Sequence, residues 1–288
     1  MKTWFITGAT GGLASLVVRD LLKRGDRVAA TTHRAGALAD LKTAYGDQLW
    51  EATMNLQDPD DVQQVVARAF KDLGTIDVLL NNAAYGIYGP VESISAQQTT
   101  DVFAVNLFGS LNTARAFLPY FRKQGRGQIV QISSMAGEYT SPAMGIYSAS
   151  KYAVEAAFEA MALEVAPFNV HVTVVEPGGI RTGFGVKGAF GADMPAYQGS
   201  AAGNLTAYIK GAVPGTDAEA MLKQIAGDPQ KMADAIVRRV DEGDGPLRMT
   251  LGSDAYAQIH ASLAARLAAL EKQKDLAFAT DADDYEAK

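Results

Sequence analysis

Thr7-Gly8-Ala9-Thr10-Gly11-Gly12-Leu13-Ala14 follows an apolar β-rich run at the start of the chain, and Leu16, Val17, Leu21 and Leu22 then recur at helical spacing. A strand, a glycine-rich turn and a helix in this order form the setting that a dinucleotide fingerprint requires. Gly8 permits the tight turn, Gly12 lets the backbone approach a pyrophosphate, and Ala14 is small enough for the helix to lie on the strand. The helix start offers free N–H groups to phosphate, so Thr7, Gly8, Thr10, Gly11, Gly12 and Leu13 are candidate cofactor contacts. An ordinary βα turn can also be glycine-rich; the position directly after the first strand favours the dinucleotide.

Beyond this turn, β-rich runs at roughly 2–7, 27–32, 48–54, 76–81, 127–133, 170–176 and 247–251 alternate with longer helical patterns. That rhythm predicts an α/β fold, a doubly wound parallel sheet with helices on both faces, as a single catalytic domain over residues 1–275. In such a sheet, ligands collect outside the carboxyl ends of the strands. Asp58-Pro59 is expected to open a helix ending near Gly74, and Asp228-Pro229 one ending near Gly243. Residues 182–227 are rich in Gly and Ala, carry Phe184, Phe190, Tyr197 and Tyr208, and show no strand signal. They are expected to form an inserted flap over the site, with a disordered loop as the alternative. The tail 276–288, with Asp281, Asp283, Asp284 and Glu286, is expected to be solvated and mobile.

Composition narrows the function classes. The 288 residues are 48% hydrophobic, enough for one large core or two small ones, with one extended α/β domain the default. A formal net charge of −6 gives no electrostatic support for nucleic acid or an anionic membrane, which leaves a small molecule as the expected partner. There is no cysteine, and His33, His171 and His260 lack the spacing of a zinc site, so no metal is expected. No apolar run approaches a membrane span, and the chain start leaves no room for a signal peptide; a cytoplasmic location is expected.

Tyr147-Ser148-Ala149-Ser150-Lys151 precedes a long apolar-periodic helix through Ala153, Val154, Ala157, Met161 and Val165. Residues four apart share one helix face, so the phenol and the ammonium meet there. A free phenol titrates near 10 and is a poor base at neutral pH. Lowering that value by ~3 units takes ~4 kcal/mol, which a partly desolvated cation and a positive nicotinamide can supply. With eleven tyrosines in the chain the spacing alone can arise by chance, so its context matters. The buried-strand pattern Gln128-Ile129-Val130-Gln131-Ile132-Ser133-Ser134 ends at Ser134, where a parallel sheet delivers catalytic groups. Ser134 can hydrogen-bond a substrate oxygen while Tyr147 donates or takes its proton. Ser133 is expected to point to the opposite face in a structural role.

Together these residues resemble the short-chain dehydrogenase/reductase family over about residues 3–182, which implies a Rossmann-type fold. The family pattern Thr-Gly-x-x-x-Gly-x-Gly stands here as Thr7 to Ala14, Asn-Asn-Ala-Gly as Asn81-Asn82-Ala83-Ala84, and Tyr-x-x-x-Lys as Tyr147 to Lys151. Ala84 adds a methyl where the turn passes the cofactor. The resemblance implies catalytic roles for Asn106, Ser134, Tyr147 and Lys151, with Asn106 holding a water in a proton relay towards Lys151; the alternative for Asn106 is to cap or brace its helix. It further implies cofactor contacts from Asn82, Ala83, Ala84, Tyr147 and Lys151, and from Pro177, Gly178, Ile180 and Thr182 in Pro177-Gly178-Gly179-Ile180-Arg181-Thr182. Asn55 stands where the family carries an acid near the adenine, with Leu56 beside it. Gly245-Pro246-Leu247-Arg248 and Gly252-Ser253-Asp254-Ala255 resemble the subgroup around hydroxysteroid and retinol dehydrogenases.

The reading is an oxidoreductase that moves a hydride between a nicotinamide cofactor and an alcohol or carbonyl carbon, NADP(H) being favoured over NAD(H). An acid at the end of the second strand would repel a 2′-phosphate, and Thr32-His33-Arg34 offers none before Asp40. Arg34 can pair with a phosphate while Thr32 and His33 donate further bonds; a solvated Arg34 is the alternative. Tyr85, Met135, Tyr139, Met144 and Phe184 are candidate substrate contacts, favouring an apolar or aromatic molecule, with Ile87, Tyr88 and Glu138 nearby. A dinucleotide-binding sensor on the same fold needs no Ser134, Tyr147 or Lys151, and an epimerase or dehydratase carries a larger substrate domain. A homodimer is expected through the helices containing Asn106 and Tyr147, using Phe117, Tyr120, Phe158 and Met161.

Overall fold

The computed structural model describes the whole chain except residues 186, 212–221, 244, 283, 284 and 286–288. Seven parallel strands form one sheet: β1 (Thr3–Thr7), β2 (Arg27–Thr32), β3 (Leu49–Thr53), β4 (Val78–Asn81), β6 (Gly127–Ile132), β7 (Val170–Pro177) and β9 (Arg248–Leu251). Their spatial order is β3-β2-β1-β4-β6-β7-β9. The chain winds outward from β1 in one direction, then returns to β4 and winds in the other. The switch point therefore lies between β1 and β4, where a doubly wound sheet opens its ligand crevice. Every residue of β1 and β4 is buried, and their near-continuous apolar runs reflect cover on both faces.

Helices α1 (Gly12–Arg24), α2 (Ala39–Tyr45), α3 (Pro59–Leu73), α4 (Ala96–Phe103), α5 (Ser110–Gln124), α6 (Gly145–Val165), α7 (Ala201–Ile209), α8 (Pro229–Glu242), α9 (Ser253–Glu271) and α10 (Lys274–Phe278) make up the rest of the described regular structure, with short 3₁₀ and π turns. Leu13, Val17 and Leu21 of α1 and Met232 and Ile236 of α8 pack on one face of the sheet. Val62 and Val66 of α3, Phe117 and Phe121 of α5, and Val154 and Phe158 of α6 pack on the other. Helix starts follow the expected chemistry. Asp58 accepts the N–H groups of Asp60 and Asp61 with Pro59 in the first position, and Asp228 does the same for Gln230 and Lys231 after Pro229.

Two expectations need correction. Residues 182–227 do contain a strand: β8 (Ala189–Phe190) pairs in parallel with β5 (Ile87–Tyr88), tying the insertion to the segment after β4. Two residues are too few to leave a periodic signature. The tail 276–288 begins inside α10 and is exposed through Ala282, while Asp283, Asp284 and Glu286 lie outside the described residues. Phe117, Phe158 and Met161 are interior and cannot serve as contacts between copies. Phe117 meets Phe5 and Phe121 with ring centroids 4.9 and 5.4 Å apart, and Tyr120 stacks on Phe70 at 4.0 Å. Helical periodicity cannot distinguish a face turned to the sheet from one turned to a partner.

Candidate active site

The glycine-rich turn sits at the carboxyl end of β1, beside that of β4. Gly8 has φ +63°, and a Cβ there would lie 2.9 Å from Cα of Ala83, so both conformation and space demand glycine. The Thr7 hydroxyl accepts the N–H groups of Asn82 (3.0 Å) and Ala83 (3.2 Å), while Asn82 Nδ2 donates to the Gly8 carbonyl at 3.2 Å. These bonds lock the turn to the Asn81–Ala84 segment. No side chain caps the start of α1 at Gly11, which leaves its N-terminus for an anionic ligand; Thr10 is exposed and Leu13 buried beneath. Gly12 faces Thr182: a Cβ would come within 2.7 Å of its methyl carbon. The crevice is thus bounded by the turn on one side and the loop after β7 on the other.

Lys151 and Tyr147 lie on the buried face of α6, 1% and 5% exposed. Lys151 Nζ donates to the Ile132 carbonyl at the end of β6 (3.0 Å) and stands 5.9 Å from the centroid of the Tyr147 ring. Ser134 follows in an extended conformation, and its hydroxyl accepts the Ala136 N–H at 3.1 Å. Burial pushes the Tyr147 phenol up to about 12, and a hydrogen bond with Ser134 opposes the rise. Burial pushes the Lys151 ammonium down to about 8, with Glu155 opposing. Desolvation of the anion is the main influence on the phenol, and the Lys151 ammonium 5.9 Å from its ring centroid does not offset it. Ser133 is buried and its hydroxyl turns towards Glu155, away from the cleft.

Asn106 lies in a π-helical turn (Ala104–Gly109) between α4 and α5, the kind of irregularity that recurs at functional sites. Its amide is fully engaged: Oδ1 accepts the Tyr85 N–H (3.0 Å), and Nδ2 donates to the Tyr85 carbonyl (3.0 Å) and to Ser150 Oγ (3.1 Å). The side chain therefore braces the segment after β4 against α6, next to Lys151.

In the loop after β7, Ile180 bridges Gly227 in parallel, and Thr182 reaches Gly12. Asp254 at the start of α9 accepts the Gly179 N–H at 2.7 Å, and a Cβ on Gly178 would strike the same carboxylate. Sequence reasoning quoted Asp254 only as part of a subgroup pattern, since no local signal tells which distant loop an aspartate holds. At the opposite end of the crevice, His33 and Arg34 are exposed, and the Arg34 side chain has no ion pair or hydrogen bond among the described residues. The Thr32 hydroxyl donates to the Arg34 carbonyl (2.6 Å) and accepts its N–H, so it shapes the loop and has no proton left to offer a phosphate. Asn55 is exposed, with Oδ1 accepting the Gln57 N–H, and Leu56 packs against Gly109.

Tyr147 is walled by aromatic rings. Tyr88 lies 6.3 Å from it and Phe184 6.1 Å, with Phe190 5.7 Å beyond Tyr88. Tyr85 and Met144 pack in the same cluster, and Met135 and Tyr139 are half-buried on the turn after Ser134. Phe190 enters through the β5–β8 pairing, which the sequence did not disclose. Glu138, considered as a polar contact for substrate, faces Arg248 and Arg266 instead. A cavity of about 710 Å³ lies against the start of α6, between Pro90, Val91, Pro142 and Ala143 on one side and Tyr197 and Ala202 of the insertion on the other.

The sequence pattern of short chain dehydrogenases matches residues 2–188. Oxidoreductase BOA17 of Botryotinia fuckeliana is 31% identical over 283 residues, 97% of this chain and 99% of its own length. Human retinol dehydrogenase 8 is 31% identical over 252 residues, covering 86% of this chain and 80% of that protein. The crystal structure of a short-chain dehydrogenase from Streptomyces avermitilis superposes with a TM-score of 0.87 at 33% identity, covering 98% of this chain and all of that one. A glycine turn at the sheet's switch point, a buried Tyr-x-x-x-Lys face and full-length likeness of sequence and fold agree: the chain belongs to the short-chain dehydrogenase family of oxidoreductases, resembling retinol dehydrogenases.

Proposed function

We propose that the protein is a nicotinamide-dependent alcohol dehydrogenase or carbonyl reductase that favours NADP(H) and acts on an apolar or aromatic small molecule. The observation that carries this reading is the convergence of Ser134 and Tyr147 at the end of β6 with Lys151 buried one turn away. When bound, the cofactor supplies or takes up the hydride. The turn Thr7–Leu13 and the uncapped start of α1 bind its pyrophosphate. Asn82, Ala83 and Ala84 line the crevice floor, while Pro177, Gly178, Ile180 and Thr182 hold the nicotinamide end. Thr32 and Asn55 shape the loops at the adenosine end, where Leu56 contributes apolar contact.

Ser134 orients the substrate oxygen, and Tyr147 gives its proton to that oxygen in reduction and takes it back in oxidation. Burial keeps the Tyr147 phenol protonated, and the nearby Lys151 ammonium makes the phenolate that forms on proton transfer less costly. Asn106 holds the cleft wall against α6. The rings of Tyr88, Phe184 and Phe190, with Tyr85, Met135, Tyr139 and Met144, favour an apolar substrate under the insertion 182–227. Preference for NADP(H) is supported by the unpaired Arg34 and the lack of an acid between Thr32 and Asp40. The test is a panel of ketones and aldehydes with NADPH and NADH, followed at the nicotinamide absorbance band. Turnover of an apolar carbonyl is expected, and failure with every carbonyl and the corresponding alcohols would falsify the reading.

A further inference from the structure

Behind the Tyr147–Lys151 face lies a charge cluster that the proposed chemistry does not use. Glu138 after Ser134, Glu155 on α6 and Glu176 near the end of β7 each place a carboxylate oxygen within 4.8 Å of the others. Arg248 of β9 lies among them, its Nε 3.3 Å from each, and an Nη donates to Glu159 at 2.8 Å. Arg266 of α9 reaches Glu138 at 3.7 Å and also contacts Tyr152. Thr250 donates to Glu176 at 2.8 Å. A guanidinium fills the space that a metal ion would take, so this is an ion-pair cluster.

Its charges do not balance. Glu155 and Glu176 are 3% and 1% exposed, yet neither Glu155 oxygen makes an aligned hydrogen bond among the described residues. Arg248 Nε lies equally near three carboxylates without an aligned hydrogen bond to any of them, and four carboxylates face two guanidiniums. The nearest further buried cation is Lys151, one helical turn before Glu155 on the same face. Gly137 packs closely against Glu155: a Cβ there would come within 2.7 Å of Glu155 Cγ and 2.9 Å of Ser133 Oγ, so only glycine leaves room for this side chain. Burial pushes the Glu155 carboxyl up to about 7, and Glu155 in turn opposes the fall of Lys151.

We propose that Glu155, seated between Arg248 and Gly137 behind Ser133, is a positioning residue that keeps the Lys151 ammonium charged beside Tyr147. The inference rests on the reading of Lys151 as the cation that supports Tyr147. The charge of the lysine then depends on a cluster that also takes in the turn after Ser134 and the end of β7, so all three catalytic segments share one electrostatic support.

The experiment follows the Lys151 ammonium by NMR in the full chain labelled with ¹⁵N-lysine, its resonance assigned by its loss in Lys151→Met. Glu155→Gln, isosteric with the protonated acid, is expected to lower the Lys151 midpoint by about one pH unit, a tenfold change. Glu176→Gln removes another carboxylate from Arg248 and is expected to move the midpoint far less. Glu155→Asp, the second variant should the first not fold, is expected to give a smaller shift in the same direction. In parallel, the wild-type to Glu155→Gln ratio of kcat/KM for carbonyl reduction is expected to be near one at about pH 6, where Glu155 is protonated, and to approach tenfold near pH 8.5. A purely structural role gives a ratio that does not change with pH. An unmoved Lys151 midpoint in the Glu155 variants, or an equal fall in Glu176→Gln, overturns the proposal. If the wild type turns over no carbonyl and no alcohol, the oxidoreductase reading fails, and the Lys151 titration still decides the role of Glu155.

Discussion

Tyr147 and Arg34 are the two residues on which the proposed chemistry can be tested most directly. Tyr147→Phe keeps the ring that packs with Tyr88 and Phe184 and removes only the acidic proton. It is expected to fold and bind cofactor with unchanged affinity while turnover falls at least about a hundredfold, the range for loss of a general acid or base. Steady-state kinetics beside a cofactor titration check this; undiminished turnover refutes the mechanism. Arg34→Ala removes an exposed guanidinium that supports nothing else among the described residues. The ratio of kcat/KM with NADPH to that with NADH is expected to fall about tenfold or more, as for loss of one charge-assisted bond to phosphate. A ratio unmoved by the substitution means that the loop does not read the phosphate.

At the scale of elements, the site depends on loops held by residues far away in sequence. The loop after β7 is tied at Gly179 to Asp254 of α9, at Arg181 to the Gly227 carbonyl (3.0 Å), and at Thr182 to the glycine turn. Asp254→Ala breaks the first tie and leaves the Gly179 N–H without its acceptor. A hydrogen bond to a charged group contributes about 1.5–3 kcal/mol, so cofactor affinity is expected to weaken roughly tenfold or more. Tyr147 keeps its place in α6, so kcat at saturating cofactor is expected to change little. A cofactor titration of the variant decides; unchanged affinity means that Asp254 does not organise the loop for binding.

Across the whole molecule, the buried titratable groups set how stability varies with pH. Glu155 titrates at about 7 in the folded chain, against an ordinary value of 4.5. The native state therefore holds a proton that the unfolded chain has released, and its contribution is lost as pH rises from about 4.5 through 7. Lys151 acts at higher pH: with its value lowered to about 8, it costs stability below that point, and the cost is relieved as pH rises from there towards 10.5. Melting curves of the wild type are expected to fall by a few degrees between pH 5 and 7, and those of Glu155→Gln to fall less, with Glu176 supplying the remaining slope, since each kcal/mol moves Tm by about 2–4 °C in a domain of this size. Equal slopes would remove Glu155 from the account. With Phe117, Phe158 and Met161 buried, a dimer through α5 and α6 has Phe108, Leu163 and Phe168 to use, 51%, 77% and 44% exposed. Light scattering is expected to give a dimer that Leu163→Glu converts to monomer; a stable tetramer contradicts this.

The sequence by itself determined the local parts: the seven strands of the main sheet to within a residue or two, the glycine turn, the helix starts at Asp58 and Asp228, and the candidate serine, tyrosine and lysine. These are legible because strand period, turn chemistry and the four-residue helical repeat are short-range properties of the chain. Only the tertiary structure decided which faces are interior, so Phe117 and Phe158 proved to be core. It alone brought Phe190 to Tyr88 and Asp254 to Gly179, and gathered Glu138, Glu155 and Glu176 around Arg248. It also set the Tyr147 and Lys151 pKa values, because desolvation depends on everything packed around a group, and spacing along the chain carries no information about it.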